Sequence, residues 1–324
     1  PISQRGCVVK TNEASVMNAI DPSVMADPVT GKWWMHYGSF FGGLYCVELD
    51  PETGLPAEEG DQGHLTARRA NYQKDNLEAP EIIYNPDLKQ YYLFVSYDPL
   101  MTTYNVRVGR SDKAEGPFVD FSGVELKDTT NNFPILTAPY RFHNHPGWAG
   151  TAHCSVFTSD EGQYFMAHQG RLSPHNQMMD LHLRQVFFTP DGWPVVSPER
   201  YTGSVSRKFS AEDMAGEWEV IRIQEPAYER RLQAGQILWG EGQLKEEEWN
   251  VSHLLSLEKN GNLGENKGTW ELLEAKQLLS LTLEGEIINN LIIFAGHDWE
   301  NEKETVLFTG LDSCGRSIWG KRIK

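Results

Sequence analysis

The sequence predicts an all-β chain, with strands of a β-propeller over residues 1–205 and a small β-barrel over 206–324. Three observations carry that prediction. One layout of strand-like segments occurs three times, apolar and polar residues alternate inside those segments, and helical periodicity is nearly absent before residue 205.

The repeats begin at Asp21, Glu78 and His153. Each opens with a polar residue and a short apolar strand: SVMAD, EIIYN and SVFTS. A turn rich in Asp, Pro and Gly follows, then an aromatic strand: KWWMHYG, KQYYLFVS and QYFMAHQG. A third strand of alternating pattern comes next (LYCVELD, YNVRVGRS, LHLRQVFFT), closed by PETG, KAEGP or PDG. β-Branched and aromatic residues fit a pleated, half-buried surface, and Gly, Pro and Asp supply the turns. Antiparallel sheets of this length in series read as propeller blades.

Propellers close with about four to eight blades, and this chain supplies about three. An open arc would expose sheet faces and edges. Residues 1–205 are therefore expected to be the later part of a ring whose opening blades lie on a companion chain or are absent. The alternative is that residues 1–20 and the C-terminal region complete the ring.

After the loop SPERYTGSVSRKF, which reads as a linker, the stretch SAEDMAGEWEVIRI predicts a short helical turn and then a strand. Gly-x-Trp at Gly216–Trp218 and again at Gly268–Trp270 opens two strand-like runs. LLSLTLEG, NNLIIFAGHD, ETVLFTGLD and SIWGKRI alternate between Gly, Asn and Asp turns, the pattern of a β-barrel of about 110 residues. Core packing is the first reading of its Trp residues, and a sugar-stacking platform the second.

With 29 Lys+Arg against 45 Asp+Glu, the net charge is 29 − 45 = −16. A field of that sign repels phosphates, so nucleic acid and anionic membrane surfaces are poor partners, while a neutral ligand is not disfavoured. No apolar run approaches the roughly 18 residues of a membrane span. Cys7, Cys46, Cys154 and Cys314 show neither CxxC nor zinc-ligand spacing and read as buried or free thiols, with one long-range disulfide as the alternative.

The inner strand of a propeller blade starts near the central channel, so Asp21, Glu78 and His153 are expected to converge there. Asp21 before Pro22 also suits a plain turn. Glu78, ahead of an apolar strand, is expected to have a raised pKa and to serve as a general acid. His153 is either a channel histidine or a metal ligand through a neutral nitrogen. Paired carboxylates in a cleft for a neutral substrate are the groups that glycoside hydrolysis uses. Trp33, Trp34, Phe40, Phe41 and Trp148 offer faces for sugars, though Trp33 and Trp34 read better as packing between blades.

VMNAIDPSV, HYGSFFGGLYCVELDPETGL, EAPEIIYNPDLKQYYLFVSYD, YNVRVGRSDKAEGPFVD, GWAGTAHCSVF and DGWPVVSPERY occur in that order between about residues 15 and 205. Together they resemble the endo-α-1,5-L-arabinanases of glycoside hydrolase family 43, and the C-terminal region resembles the barrel of their two-domain members. The resemblance implies a five-bladed propeller and inverting hydrolysis of internal α-1,5 links in arabinan. It implies Glu78 as general acid, Asp21 as the carboxylate that orients that acid and keeps its pKa high, and His153 as the histidine associated with a channel metal, usually calcium. Calcium prefers oxygen, so water would fill most of its shell. Asn18, Ile20, Ser39 and Phe40 lie in motifs bordering the family's cleft. Arg171 is a further candidate sugar contact, or else a solvated or inter-blade arginine.

The family's general base is an Asp in an early His-Asp-Pro motif, and none occurs here. The Asp-Pro pairs at Asp21, Asp27, Asp50 and Asp98 do not replace it, since Asp27 and Asp50 fall in turns and Asp98 follows a strand. The base is therefore expected on a missing or separate N-terminal segment. Alternatives are an exo-acting arabinofuranosidase or xylosidase of the same scaffold, and a non-catalytic sugar-binding propeller. A polymeric substrate implies an extracellular or periplasmic protein.

Overall fold

A computed structural model describes residues 6–69, 76–128, 133–205, 207–225, 244–283 and 285–324. It divides into two compact units. The first comprises Pro1–Pro99, Val106–Phe133 and His153–Val156, and the second Leu100–Asn105, Pro134–Ala152 and Phe157–Lys324.

In the first unit, β1 (Ser23–Ala26), β2 (Trp33–Tyr37), β3 (Leu44–Leu49) and β4 (His64–Ala67) form one sheet in sequence order. β5 (Leu77–Asn85), β6 (Gln90–Tyr97) and β7 (Asn105–Ser111) follow as neighbours in a second. The alternation along β2 sorts its side chains to opposite faces, as a pleated strand must. Trp34 joins Leu44, Cys46, Leu77, Leu93 and Val95 in one apolar cluster. Met35 and Tyr37 join Val47 and Leu49 in another, covered by Val8, Val9 and Met17. His36, two residues from Trp34 and so on the same face of the strand, is fully buried, its Nε2 2.9 Å from the Ala114 carbonyl oxygen.

The next elements are β8 (Ile135–Thr137), β9 (Tyr140–Arg141), β10 (Trp148–Ala149) and β11 (Ser155–Thr158). β12 (Tyr164–Leu172), β13 (Asp180–Phe188) and β14 (Pro194–Val196) complete the third repeat, whose sheet runs β14–β13–β12–β10–β9. All nine strand segments expected in the three repeats are present. The sequence reading missed the short strands β4, β8, β9, β10 and β14, which are too brief to show a period.

The C-terminal segment begins with α1 (Ala211–Met214), started by a capping box in which Ser210 and Asp213 bond each other's backbone. β15 (Gly216–Arg222) follows, then β16 (Asn250–Val251), β17 (His253–Leu257), β18 (Asn262–Leu263) and β19 (Gly268–Leu273). β20 (Leu278–Leu283), β21 (Glu286–Asp298), β22 (Lys303–Leu311) and β23 (Ser317–Arg322) end the chain. Eight of these, β15 and β17–β23, close into a barrel, with β23 returning to pair with β15. Trp218, Trp270, Leu281, Ile288 and Phe308 fill its interior. Met214 of α1 packs into the same cluster, and the Trp218 indole N–H donates to the Met214 carbonyl at 2.8 Å. Trp218 and Trp270 are barrel core, as the first reading held; Trp249 and Trp319 are buried outside that cluster, Trp299 is exposed, and Trp239 lies outside the described residues.

The stretch read as a linker is anchored at its start. Ser197 and Glu199 are buried, and Arg184 Nη1 donates to the carbonyls of Ser197 (2.8 Å) and Pro198 (2.6 Å). β16 pairs in parallel with β9, and Thr309 Oγ1 donates to the Val196 carbonyl. These bonds explain why the third repeat from Phe157 onward and the barrel fall in one compact unit. All four cysteines are free thiols, Cys46 and Cys154 buried, Cys7 and Cys314 exposed. Among the described residues no helix is long and apolar enough to cross a membrane.

Candidate active site

Asp21, Glu78 and His153 all belong to the first unit. The repeats start alike: Asp21, Ala79 and His153 have φ of 54°, 51° and 54°. A left-handed conformation is uncommon outside glycine and costs on the order of 1–3 kcal/mol unless the surroundings fix it. The same turn at the same place in three repeats makes Ala79, not Glu78, the structural counterpart of Asp21 and His153. Glu78 stands one residue earlier on β5, ahead of a bulge between Glu78 and Glu81. Counting from sequence motifs alone hides that offset.

Hydrogen bonds gather the neighbouring segments around Glu78. Ser39 Oγ donates to Glu78 Oε2 at 2.8 Å, and the Phe40 N–H donates to the Leu77 carbonyl at 2.8 Å. The Gly38 N–H reaches the Ile20 carbonyl at 2.9 Å, and the Ile20 N–H the Asn18 carbonyl at 3.0 Å. Asn18, Ile20, Ser39, Phe40 and Glu78 are thus brought together through backbone and side chain. Gly42 permits the close approach: a Cβ there would lie 1.9 Å from the Val16 carbonyl oxygen. Ser39 and most of Phe40 are buried, whereas Phe41 leaves half its surface exposed and Ile20 a similar share.

Asp21 is half-buried. Burial holds its carboxyl above the ordinary value, while the His153 imidazole and the Ala79 N–H, which donates to it, act in the other direction. His153 is exposed, and its backbone N–H donates at 2.8 Å to Ser96 Oγ, the residue opposite Glu78 on β6. Ser96 therefore links the strand of Glu78 to His153, a residue that sequence reasoning missed because a strand serine carries no motif.

The remaining Asp-Pro pairs are committed elsewhere. Asp27 accepts from Tyr91 Oη (2.5 Å), the Thr30 hydroxyl and the Val29 N–H, Asp50 from the N–H groups of Glu52 and Thr53. Asp98 is buried in an ion pair with Arg69 at 2.6 Å. Arg171 lies in the second unit, buried, with Nη1 bonded to the carbonyls of Asn176 (2.9 Å) and Gln177 (3.1 Å).

Around His153 the described residues assemble no trio of carboxylate, imidazole or thiolate ligands. Calcium takes about six to eight oxygens, so these side chains do not by themselves compose a calcium cage. One trio does exist in the second unit: Glu199, Asp298 and Glu300. Its cation is already present as Lys321, whose Nζ lies 2.9 Å from Glu199 Oε1 and from Asp298 Oδ1 and also bonds Glu300.

A half-buried carboxyl oriented by a serine hydroxyl, a second acid of raised proton affinity and an adjacent imidazole make a polar site suited to acid catalysis at a neutral substrate. The chain belongs to the glycosyl hydrolases family 43, whose model matches residues 6–194; the model of a C-terminal lipocalin-like domain matches residues 198–320. Among relatives, it is 30% identical over 330 residues to the extracellular endo-alpha-(1->5)-L-arabinanase of Thermotoga petrophila, covering 95% of this chain and 64% of that protein. It is 27% identical to extracellular endo-alpha-(1->5)-L-arabinanase 2 of Bacillus subtilis, covering 94% of this chain and 64% of the relative. The crystal structure of endo-1,5-alpha-L-arabinanase from Thermotoga petrophila RKU-1 superposes with a TM-score of 0.79 at 27% identity, covering 97% of this chain and 69% of that one. An extracellular exo-alpha-(1->5)-L-arabinofuranosidase of Cellvibrio japonicus is 27% identical over 63% of this chain and 59% of its own length. The chain thus spans just under two thirds of the length of the two endo-arabinanases it matches.

Proposed function

We propose that this chain is part of an endo-acting, inverting glycoside hydrolase that cleaves internal α-1,5-L-arabinofuranosyl links of arabinan. The observation that carries the reading is the fixed grouping of Glu78, Ser39 and Asp21, on a chain of a glycosidase family whose similar members are arabinanases. Glu78 is the general acid. It gives its proton to the leaving glycosidic oxygen as the C–O bond breaks, while water attacks the anomeric carbon from the opposite face and loses its proton to a carboxylate base. Asp21, itself of raised proton affinity, orients Glu78. The base belongs on a segment outside these 324 residues, on the same or a companion chain; the commitments of Asp27, Asp50 and Asp98 support that placement. The sheets of residues 1–205 are then about three blades of a five-bladed propeller, and 206–324 an accessory barrel. Asn18, Ile20, Ser39 and Phe40 border the cleft, and Arg171, on β12, is a further candidate sugar contact. A calcium ion would take one contact from His153 and the rest of its shell from water. The extracellular labels of the relatives support an extracellular location.

The experiment is release of oligosaccharides from debranched linear arabinan by the full-length protein, with Glu78→Ala beside it. Short arabino-oligosaccharides are expected from the wild type, with a loss of about 10²–10⁴-fold in the variant. Retained activity in Glu78→Ala would remove Glu78 as the acid. Arabinose as the sole early product would favour the exo reading that the Cellvibrio relative represents.

A further inference from the structure

Ser23, Glu81 and Ser155 hold one equivalent position in the three repeats, each two residues after the left-handed residue Asp21, Ala79 or His153. They meet. Ser23 Oγ donates to Glu81 Oε2 at 2.7 Å, and Ser155 Oγ to Glu81 Oε1 at 2.9 Å. The Val156 N–H donates to the same Oε1 at 3.0 Å, and Ser23 Oγ accepts from the Ile82 N–H at 3.3 Å. One carboxylate thus receives three donors from two distant segments, and bonds to an ionised acceptor are roughly twice as strong as neutral ones. Residues His153–Val156 group with the first unit although the rest of their repeat does not, and Glu81 accepts two of the hydrogen bonds that hold them there.

We propose that Glu81 is a positioning residue, tying the segments that carry Asp21, Glu78 and His153 into one fixed arrangement. The proposal rests on the glycosidase reading above. Its physical need lies in the bulge between Glu78 and Glu81 and in the three left-handed residues. Such conformations persist only where surrounding bonds over-determine them. Without the carboxylate, the segments relax independently, and a displacement of about 1 Å at an acid costs about 10²-fold in rate.

The test compares Glu81→Ala and Glu81→Gln with wild type in the full-length protein, by two readouts. Hydrogen exchange reports on peptides covering residues 21–24 and 153–156. Turnover is measured on linear arabinan and on an arabinoside with a good phenol leaving group, which needs little protonation. Glu81→Ala is expected to lose protection in both peptides. Its kcat on arabinan should fall about 10- to 100-fold with KM within about twofold, and turnover of the phenol substrate only a few-fold. Glu81→Gln keeps one acceptor oxygen and restores part of each. Should Glu81→Ala fail to fold, Ser155→Ala removes one donor and shows the same pattern at smaller size. Unchanged exchange, or equal loss on both substrates, overturns the proposal. A wild type inert on both substrates overturns the glycosidase reading and this role together, and is recognised before any variant is compared.

Discussion

At residue scale the buried histidines make stability depend on pH. Burial pushes His36 down to about 4, against the hydrogen bond to the Ala114 carbonyl, and His168 down to about 3, aided by the Arg184 charge. Both are neutral when folded, while an unfolded histidine takes up a proton near pH 6.5. The unfolded state therefore binds more protons between about 4 and 6.5, so stability is full above about 6.5 and is lost as pH falls toward 4. For His36 alone the loss is on the order of 3 kcal/mol. Urea midpoints should drop between about pH 7 and pH 4.5, and His36→Gln, which keeps a donor for Ala114, should flatten the slope. An unchanged slope would exclude His36 as the titrating group.

At element scale, the ends of β21 and β23 are locked to the segment after β14 by one buried lysine. Burial alone would lower Lys321, yet Glu199 and Glu300 hold its proton affinity above the ordinary value, and burial raises Glu199 well above its own. The ammonium also sits 3.9 Å from the Phe142 ring centroid. Replacing a buried ion-pair partner strands the charges left behind. Lys321→Met should cost about 3–5 kcal/mol, and adding Glu199→Gln should return part of it. Denaturant melts of the single and double variants check this; additive losses would mean that Glu199 and Lys321 do not act as a unit. The cluster is illegible in the sequence, because its members lie at positions 199, 298, 300 and 321, and only the packing of the segment after β14 against the barrel brings them together.

At the scale of the molecule, the charge of −16 separates neutral from anionic ligands. If arabinan is the substrate, as proposed, its neutral chain gains nothing from long-range attraction, so KM should change by less than about twofold as salt screens the field. A polyanionic glycan, by contrast, should bind only as ionic strength rises. A steep salt dependence for arabinan would point to charged groups in the cleft. Intact mass of the active fraction belongs to the same scale, since a second polypeptide bearing a His-Asp-Pro motif would supply the proposed base.

The all-β class, the nine principal strands of the repeats, the helical turn before the barrel and the family were all legible in the amino-acid sequence. Alternation, turn residues and ordered motifs are local signals, and each of these features is local or a string of local ones. Features that depend on distant partners emerged only with the fold. Ala79 rather than Glu78 proved to be the counterpart of Asp21, because a bulge shifts the register by an amount no motif displays. The anchoring of Ser197–Glu199 and the meeting of Ser23, Glu81 and Ser155 likewise arise only when strands far apart in the chain exchange hydrogen bonds. A hydrogen bond is selected by geometry within about 3 Å, and sequence separation carries no information about it.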